Sequence, residues 1–278
     1  MTKYTDVVGH PIEHSMSPIL MGAAHVGVVC NRHDLLPGEL ASYVASRGSE
    51  YAGLSVTMPF KHEAFTVCDM VDGLAQNVGS INTLVFQPTG SSRMVIGFNT
   101  DVAGIVNAVR EVNGSERGYT KAVILGSGAT ASSALAALVQ LKAEDITVCA
   151  RTLAGPRNAT TAAHRMNIDI HTAPLNKIDM ALRGADLVIS TLPAHAADPW
   201  IDALDSIDFG AVTLLDVVYD PDPSDLVERV RTDGGVIVPG WLMLLHQGIM
   251  QAQLFSGKAP NAQAMRKALI AEVERRTA

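Results

Sequence analysis

The sequence predicts an α/β protein of two domains: an N-terminal α/β domain on a mostly parallel sheet, and a second domain of doubly wound type. Three observations carry that expectation. A chain of 278 residues exceeds what one small core needs. Short apolar strands alternate with helical patterns, as in parallel sheets covered by helices. A glycine-rich turn, "GSGAT" at 126–130, lies directly between a strand pattern and an alanine-rich helix.

The elements follow in order. "DVVG" reads as the first strand, and "SPILMGAAHVG" as a helix with Ser17 as its cap, Pro18 in the first turn and Gly27 at its end. "YAGLSVTM" is the second strand, and "PFK" leads from it into the start of a helix. "NTLVFQ" is the third strand, followed by a "PTGSS" turn and the returning strand "RMVIG". After "GFNTD" a helix runs from Asp101 to about Asn113 and closes in the polar run "NGSERGYTK". A new strand, "AVIL", begins at Ala122, and "ITVCA", "DLVIST" and "TLLDVV" recur with helices between them up to about Pro239. Two helices end the chain, Trp241 to Phe255 and Asn261 to Thr277, with Gly257 and Pro260 supplying the break.

Composition narrows the function classes. Apolar residues make up 47% and charged residues 18%, a balance able to bury a substantial core. The formal charge of −7 gives no large positive field to attract nucleic acid or an anionic membrane, so local cations must hold any anionic ligand. The start, "MTKYTDVVGHPIEHS", lacks an apolar leader pattern, and a cytoplasmic protein is expected. Cys30, Cys68 and Cys149 are an odd, widely spaced set among apolar neighbours, which reads as reduced, buried thiols. The histidines are not clustered with other ligands, so no metal is expected.

Gly126, Gly128 and Ala131 have the spacing G-x-G-x-x-A. Glycine there allows a tight turn and lets a pyrophosphate approach the backbone, while the following helix offers N–H groups and a positive dipole end. The next strand ends about 23 residues past Gly126, where a dinucleotide fold reads the adenosine ribose. An NAD site usually has a carboxylate there, whereas this chain has Ala150, Arg151 and Thr152. A guanidinium and a hydroxyl suit a 2′-phosphate, so the expected cofactor is NADP(H).

Three polar clusters remain: "HPIEHSMSP", "SVTMPFK" and "GFNTD". Singly each has an ordinary explanation. Ser15 or Ser17 can cap a helix, Lys61 can lie along the surface, and Asp101 can favour a helix start. Yet all three fall at or just beyond the C-terminal ends of predicted strands, where open α/β sheets place ligands. A lysine and an aspartate brought together there can share a proton for general acid–base work.

The segments "GHPIEHSMSP", "SVTMPFK", "GSINTL", "GFNTD", "GSGATASSA", "ART", "DLVISTLP", "DVVYDP" and "GWLMLLHQG" stand in the order found in the shikimate dehydrogenases, and by them nearly the whole chain resembles that family. The resemblance implies a substrate-binding and catalytic domain over residues 1–102, completed by 240–278, and a Rossmann-type NADP-binding domain over 103–239. It matches Lys61 and Asp101 to the catalytic pair, and Ser15 and Ser17 to serines that bind the substrate carboxylate. Thr57, Asn82 and Gln247 match residues that hydrogen-bond the ring hydroxyls, and Tyr219 matches a tyrosine lining the substrate site. Gly126, Ser127, Gly128 and Ala129 match the phosphate loop, and Arg151 and Thr152 the 2′-phosphate clamp. Thr191, Gly240 and Met243 match further cofactor contacts, Met243 near the nicotinamide. The implied reaction is reduction of 3-dehydroshikimate to shikimate with NADPH. The implied partner is a small-molecule substrate, with neither nucleic acid nor membrane, and a homodimer is left open.

Several positions depart from the family pattern. His10, Ser55 and Ala150 replace asparagines, and Ala129 replaces a third glycine. The family's next arginine after the "ART" position falls on Gly155, with Arg157 available from a shifted loop. Ser80 and Phe98 stand where alanine and a polar residue are common. Three rivals stay open: an NAD-dependent quinate or quinate/shikimate dehydrogenase, a non-catalytic regulator binding shikimate-pathway compounds, and an aminoshikimate-type paralogue. Arg151 argues against the first, and retention of both Lys61 and Asp101 against the second.

Overall fold

In Lys3–Gly9 (β1) every residue from Thr5 onward is buried, the pattern of a strand covered on both faces. The computed structural model that contains it describes residues 2–219 and 223–277. Its contacts form two units, Met1–Thr100 with Leu245–Arg275, and Asp101–Leu244 with Arg276–Ala278.

In the first unit β1 is followed by Ser17–Ala23 (α1), Val28–Asp34 (β2), Leu40–Ser46 (α2) and Tyr51–Val56 (β3). Met70–Val71 (β4), Gly73–Val78 (α3) and the hairpin Thr83–Thr89 (β5) and Ser92–Phe98 (β6) complete it. The sheet order is β2-β1-β3-β5-β6-β4. β1 pairs in parallel with β2 and β3, and β4 with β6, while β5 runs antiparallel to both neighbours. The C-terminal ends of β1, β3 and β6 and the start of β5 therefore share one edge. Val8, Leu54, Val56 and Leu84 pack with Leu40 and Val44 of α2 and with Phe60, which is fully buried.

Several local expectations are corrected. Ser17 does not cap α1: the N-cap is Met16, without a side-chain cap bond, and Ser17 is already helical. Its N–H instead donates to Ser15 Oγ at 3.3 Å. The helix stops at Ala23 rather than reaching Gly27, whose φ of +79° belongs to the turn into β2. After Lys61 the chain makes a 3₁₀ turn, Glu63–Val67, not a full helix. Cys30 is buried as expected, but Cys68 is only half-buried.

The second unit opens with Asp101–Asn113 (α4), Tyr119–Leu125 (β7), Ala129–Gln140 (α5), Ala143–Ala150 (β8) and Ala159–Met166 (α6). It continues through His171–Pro174 (β9), Ile178–Leu182 (α7), Leu187–Ser190 (β10), Thr213–Asp216 (β11), Asp225–Thr232 (α8) and Val236–Val238 (β12). Strand β7 starts three residues before the expected Ala122, because Tyr119 already pairs with Ala143. The order β12-β11-β10-β7-β8-β9, with every pairing parallel, reverses direction at β7. That is the doubly wound dinucleotide arrangement, whose ligand crevice lies at the reversal point. Val123, Leu125, Val188 and Leu214 pack against Leu182, Leu226 and Val230.

The last two helices are Gly240–Ser256 (α9) and Ala262–Thr277 (α10), separated at Gly257 with φ +68°. From Leu245 onward α9 belongs to the first unit. A Cβ on Gly248 would lie 2.1 Å from Leu20 Cδ2, so α9 approaches α1 only because position 248 is glycine. The Asn261 N–H donates to the Ala24 carbonyl at 3.0 Å and leads into α10, whose Met265 and Leu269 are buried. Among the described residues no helix is long and apolar enough to cross a membrane.

Candidate active site

In the first unit two of the polar clusters, "SVTMPFK" and "GFNTD", meet at Asn82. Its backbone carbonyl accepts from Val56 N–H at 2.7 Å, and its own N–H donates to Phe98 at 3.1 Å, locking β3, β5 and β6 together at one edge. The side chain is 2% exposed. Its Nδ2 donates to Thr100 Oγ1 at 2.8 Å and to Gln247 Oε1 at 3.3 Å, while Oδ1 accepts from Thr100 N–H at 2.8 Å and Thr83 Oγ1 at 2.9 Å. An amide held on both ends in this way is fixed in orientation.

Lys61 is half-buried, and its carbonyl accepts from the N–H of Ile81, the residue before Asn82, at 3.0 Å. Thr57 lies just past β3, with its N–H on the Val8 carbonyl at 2.9 Å. Ser15 and Ser17 follow β1, and the Ser15 hydroxyl donates to Ser17 Oγ at 3.2 Å. Arg32 Nε holds the Ser15 carbonyl at 2.8 Å. Two adjacent hydroxyls, a lysine and a fixed amide on one sheet edge suit a small, hydroxylated carboxylic acid.

Asp101 directly follows Thr100 and begins α4, where a carboxylate is favoured by the helix dipole, and it is buried at 4% exposure. Tyr219 is half-buried beyond β11 in the second unit. Asp220 and Pro221, the end of the "DVVYDP" segment, lie outside the described residues.

In the second unit the glycine-rich loop leaves β7 at the reversal point. Gly126 has φ +108°, and its N–H donates to the Cys149 carbonyl of β8 at 2.9 Å. A Cβ there would lie 2.4 Å from Thr191 Oγ1. Gly128 is the N-cap of α5 without a side-chain cap bond, and a Cβ on it would meet open space. The Ser127 hydroxyl donates to the Thr152 carbonyl at 2.6 Å, holding the segment after β8 against the loop. Arg151 and Thr152 are exposed. This uncapped helix start, crossed by close backbone and lacking a carboxylate at the β8 end, fits a dinucleotide with a phosphorylated ribose. Gly240 approaches the Asp216 and Val218 carbonyls so closely that a Cβ would lie 2.6 Å from each, and Met243, three residues on, is buried.

Three segments of the chain match family models. Residues 7–84 match the shikimate dehydrogenase substrate-binding domain, 109–200 match shikimate/quinate 5-dehydrogenase, and 240–270 match the shikimate 5′-dehydrogenase C-terminal domain. The shikimate dehydrogenase (NADP⁺) of Rubrobacter xylanophilus is 30% identical over 98% of this chain and 96% of its own. This chain belongs to the shikimate dehydrogenase family. The protein of the same description from Methanosarcina acetivorans is 32% identical, covering 97% of this chain and 98% of its own. The crystal structure of Mycobacterium tuberculosis shikimate dehydrogenase superposes with a TM-score of 0.81 at 33% identity, over 97% of this chain and 99% of that one.

Against the family pattern, Ser55 is satisfied internally: its buried hydroxyl donates to Gln251 Oε1 at 2.9 Å. Gln251 Nε2 in turn reaches the Asn82 carbonyl at 3.2 Å and Thr83 Oγ1 at 2.9 Å. The sequence reading overlooked Gln251 and Thr100. Gln251 stands one helical turn after Gln247, a spacing that puts both amides on one face of α9. It also overlooked Asp216, in register with Ser190 on the neighbouring strand. Burial raises the Asp216 carboxyl above its ordinary range, against hydrogen bonds from Val218 N–H, Ser224 and Ser190 that favour the anion. Asp216 thereby secures the chain leaving β11 toward Tyr219. Burial also pushes the Cys30 thiol up to about 12 and Cys149 up to about 11, so neither serves as a thiolate nucleophile at neutral pH.

The serine pair gives a direct test. Ser15→Ala and Ser17→Ala are expected to raise KM for shikimate with little change in kcat, as hydroxyls that hold ground and transition states alike would do. Because Met16 rather than either serine is the N-cap of α1, and the Ser15 hydroxyl accepts the Ser17 N–H only at a long 3.3 Å, thermal melts should fall only slightly. A sharp loss of melting temperature with unchanged kinetics would make both serines structural.

Proposed function

We propose that the chain reduces 3-dehydroshikimate to shikimate with NADPH, a step toward chorismate and the aromatic amino acids. The observation that carries this reading is the fixed Asn82 amide beside Lys61 on the sheet edge that also holds Ser15, Ser17 and Thr57. Free rather than paired cysteines accord with work in the reducing cytoplasm.

The nicotinamide, when bound, supplies the hydride. The protein's part is to orient the ring and to manage one proton. Ser15 and Ser17 anchor the carboxylate, while Thr57, Asn82 and Gln247 direct the ring hydroxyls, with Tyr219 as a further contact. Lys61 donates a proton to the oxygen as the carbonyl becomes an alcohol, and Asp101 is the carboxylate that acts with it. On the cofactor side, Gly126, Ser127, Gly128 and Ala129 receive the pyrophosphate at the start of α5, and Arg151 with Thr152 receive the 2′-phosphate. Thr191, Gly240 and Met243 complete the cofactor contacts.

Arg151→Ala is expected to raise KM for NADP⁺ while leaving NAD⁺ kinetics nearly unchanged, since the lost charge-assisted bond, about 1.5–3 kcal/mol, serves only the phosphorylated ribose. Equal weakening of both cofactors would remove Arg151 from that role. The function itself is tested by incubating the protein with 3-dehydroshikimate and NADPH and identifying the product. Shikimate formed in step with NADPH consumption supports the proposal; binding without turnover would favour the regulatory reading.

A further inference from the structure

Beside the serine pair stands an arginine whose charge is not matched. Arg32, on β2, is exposed, and its Nε donates to the Ser15 carbonyl at 2.8 Å. It forms no ion pair with any described residue, and its Nη groups donate to none of them. The carboxylate placed to neutralise it is engaged elsewhere. Asp34, two residues on and therefore on the same face of the strand, pairs with His10 Nδ1 at 2.9 Å.

These two side chains of β2 hold opposite ends of one loop. β2 runs parallel to β1, with Arg32 opposite Val7 and Asp34 opposite Gly9. Asp34 reaches His10 where the loop leaves β1, and Arg32 reaches Ser15 near its end. Between them the Ser15 N–H donates to the Ile12 carbonyl at 3.1 Å, and the Ser15 hydroxyl donates to Ser17 Oγ at 3.2 Å. Ile12 and Met16 are buried, so apolar packing also seats the loop. The guanidinium thus lies on the backbone of one serine of the pair, with donors left over. In a chain of net charge −7, a local cation of this kind is what an anionic ligand requires.

We propose that Arg32 is a positioning residue for the substrate carboxylate: through the Ser15 carbonyl it sets the hydroxyl pair, and its charge favours an acid over a neutral analogue there. The proposal rests on the reading of Ser15 and Ser17 as the carboxylate anchor, and it supplies the cation that two neutral hydroxyls lack. Hydroxyl donors alone separate a carboxylate from its ester weakly, since both offer acceptor oxygens, whereas a guanidinium favours the anion.

The test measures kinetics and dissociation constants of the full chain with shikimate and with its uncharged methyl ester. For Arg32→Ala, KM and the dissociation constant for shikimate are each expected to rise about fivefold or more, the loss of a charge and of its backbone contact. KM for NADP⁺ and kcat should hold, and so should the melting temperature, because Ile12 and Met16 still seat the loop. The preference for acid over ester should shrink in the same variant. Arg32→Lys should recover part of that preference, and Arg32→Met, which keeps an apolar stem without charge, should behave like the alanine variant. If shikimate binding in Arg32→Ala equals wild type, Arg32 has no such role. If acid and ester weaken equally, Arg32 acts on loop structure alone and the proposal fails. Should the ester bind too weakly to measure, a rank order for shikimate of Arg, then Lys, then Met with Ala supports the proposal, and Lys no better than Met overturns it. If wild type binds acid and ester alike, the carboxylate-anchor reading fails, and this proposal with it.

Discussion

Lys61→Ala is expected to lower kcat by roughly 10²–10⁴, the usual range for losing a general acid or base. The substitution removes the ammonium but not the Lys61 carbonyl, which accepts the Ile81 N–H and so keeps Asn82 in place. The side chain is half-buried and lies outside the apolar cluster around Phe60, so truncation opens no core cavity. Circular dichroism and the melting temperature should therefore match wild type. A lysine that merely attracted an anionic substrate would show its loss in KM, with kcat preserved. Asp101→Asn should also depress kcat, and the double variant should lose less free energy than the two single losses added, if the residues act as one unit.

Gly126→Ala is expected to weaken NADP⁺ and NAD⁺ together, by about tenfold or more, and to lower stability. The alanine would have to adopt a φ of +108° and place its Cβ 2.4 Å from Thr191 Oγ1. Strain of this kind is worth about 1–3 kcal/mol. Thr191 cannot simply swing away, because its hydroxyl donates to the Leu125 carbonyl at 2.9 Å. Both cofactors share the pyrophosphate that this loop is proposed to receive, which separates the variant from Arg151→Ala. Adding Thr191→Ala relieves the contact but not the backbone strain, so rescue should be partial. Wild-type affinity for both cofactors in Gly126→Ala would remove this loop from cofactor binding.

Elements with local punctuation were legible in the sequence. Asp101 marks the start of α4, Gly257 ends α9, and the glycines after "AVIL" mark the turn from β7 into α5. Elements lacking that punctuation were not. In β2 only Val28 and Cys30 are buried, and its apolar run stops after "VVC" at the exposed "NRHD", too short to mark a strand by itself. The short strands β9 and β12 gain their order from neighbours rather than from their own residues. Ser17 was misread because a serine before Pro18 satisfies the capping pattern, whereas its N–H goes to Ser15 and the helix has already begun.

The candidate site was legible by residue type and strand end, while its internal bonding was not. Lys61, Asn82 and Gln247 stand in recognisable segments, yet the link from Asn82 through Thr100 and Gln251 joins positions up to 169 residues apart. Such contacts follow from the antiparallel return of β5 and the docking of α9, and no local period encodes them.

Initial rates with shikimate and quinate, each paired with NADP⁺ and NAD⁺, test the account most directly. Shikimate with NADP⁺ should give the highest kcat/KM, with NAD⁺ weaker through KM and quinate weaker with either cofactor. Preference for quinate with NAD⁺, or no turnover in any of the four combinations, would contradict it.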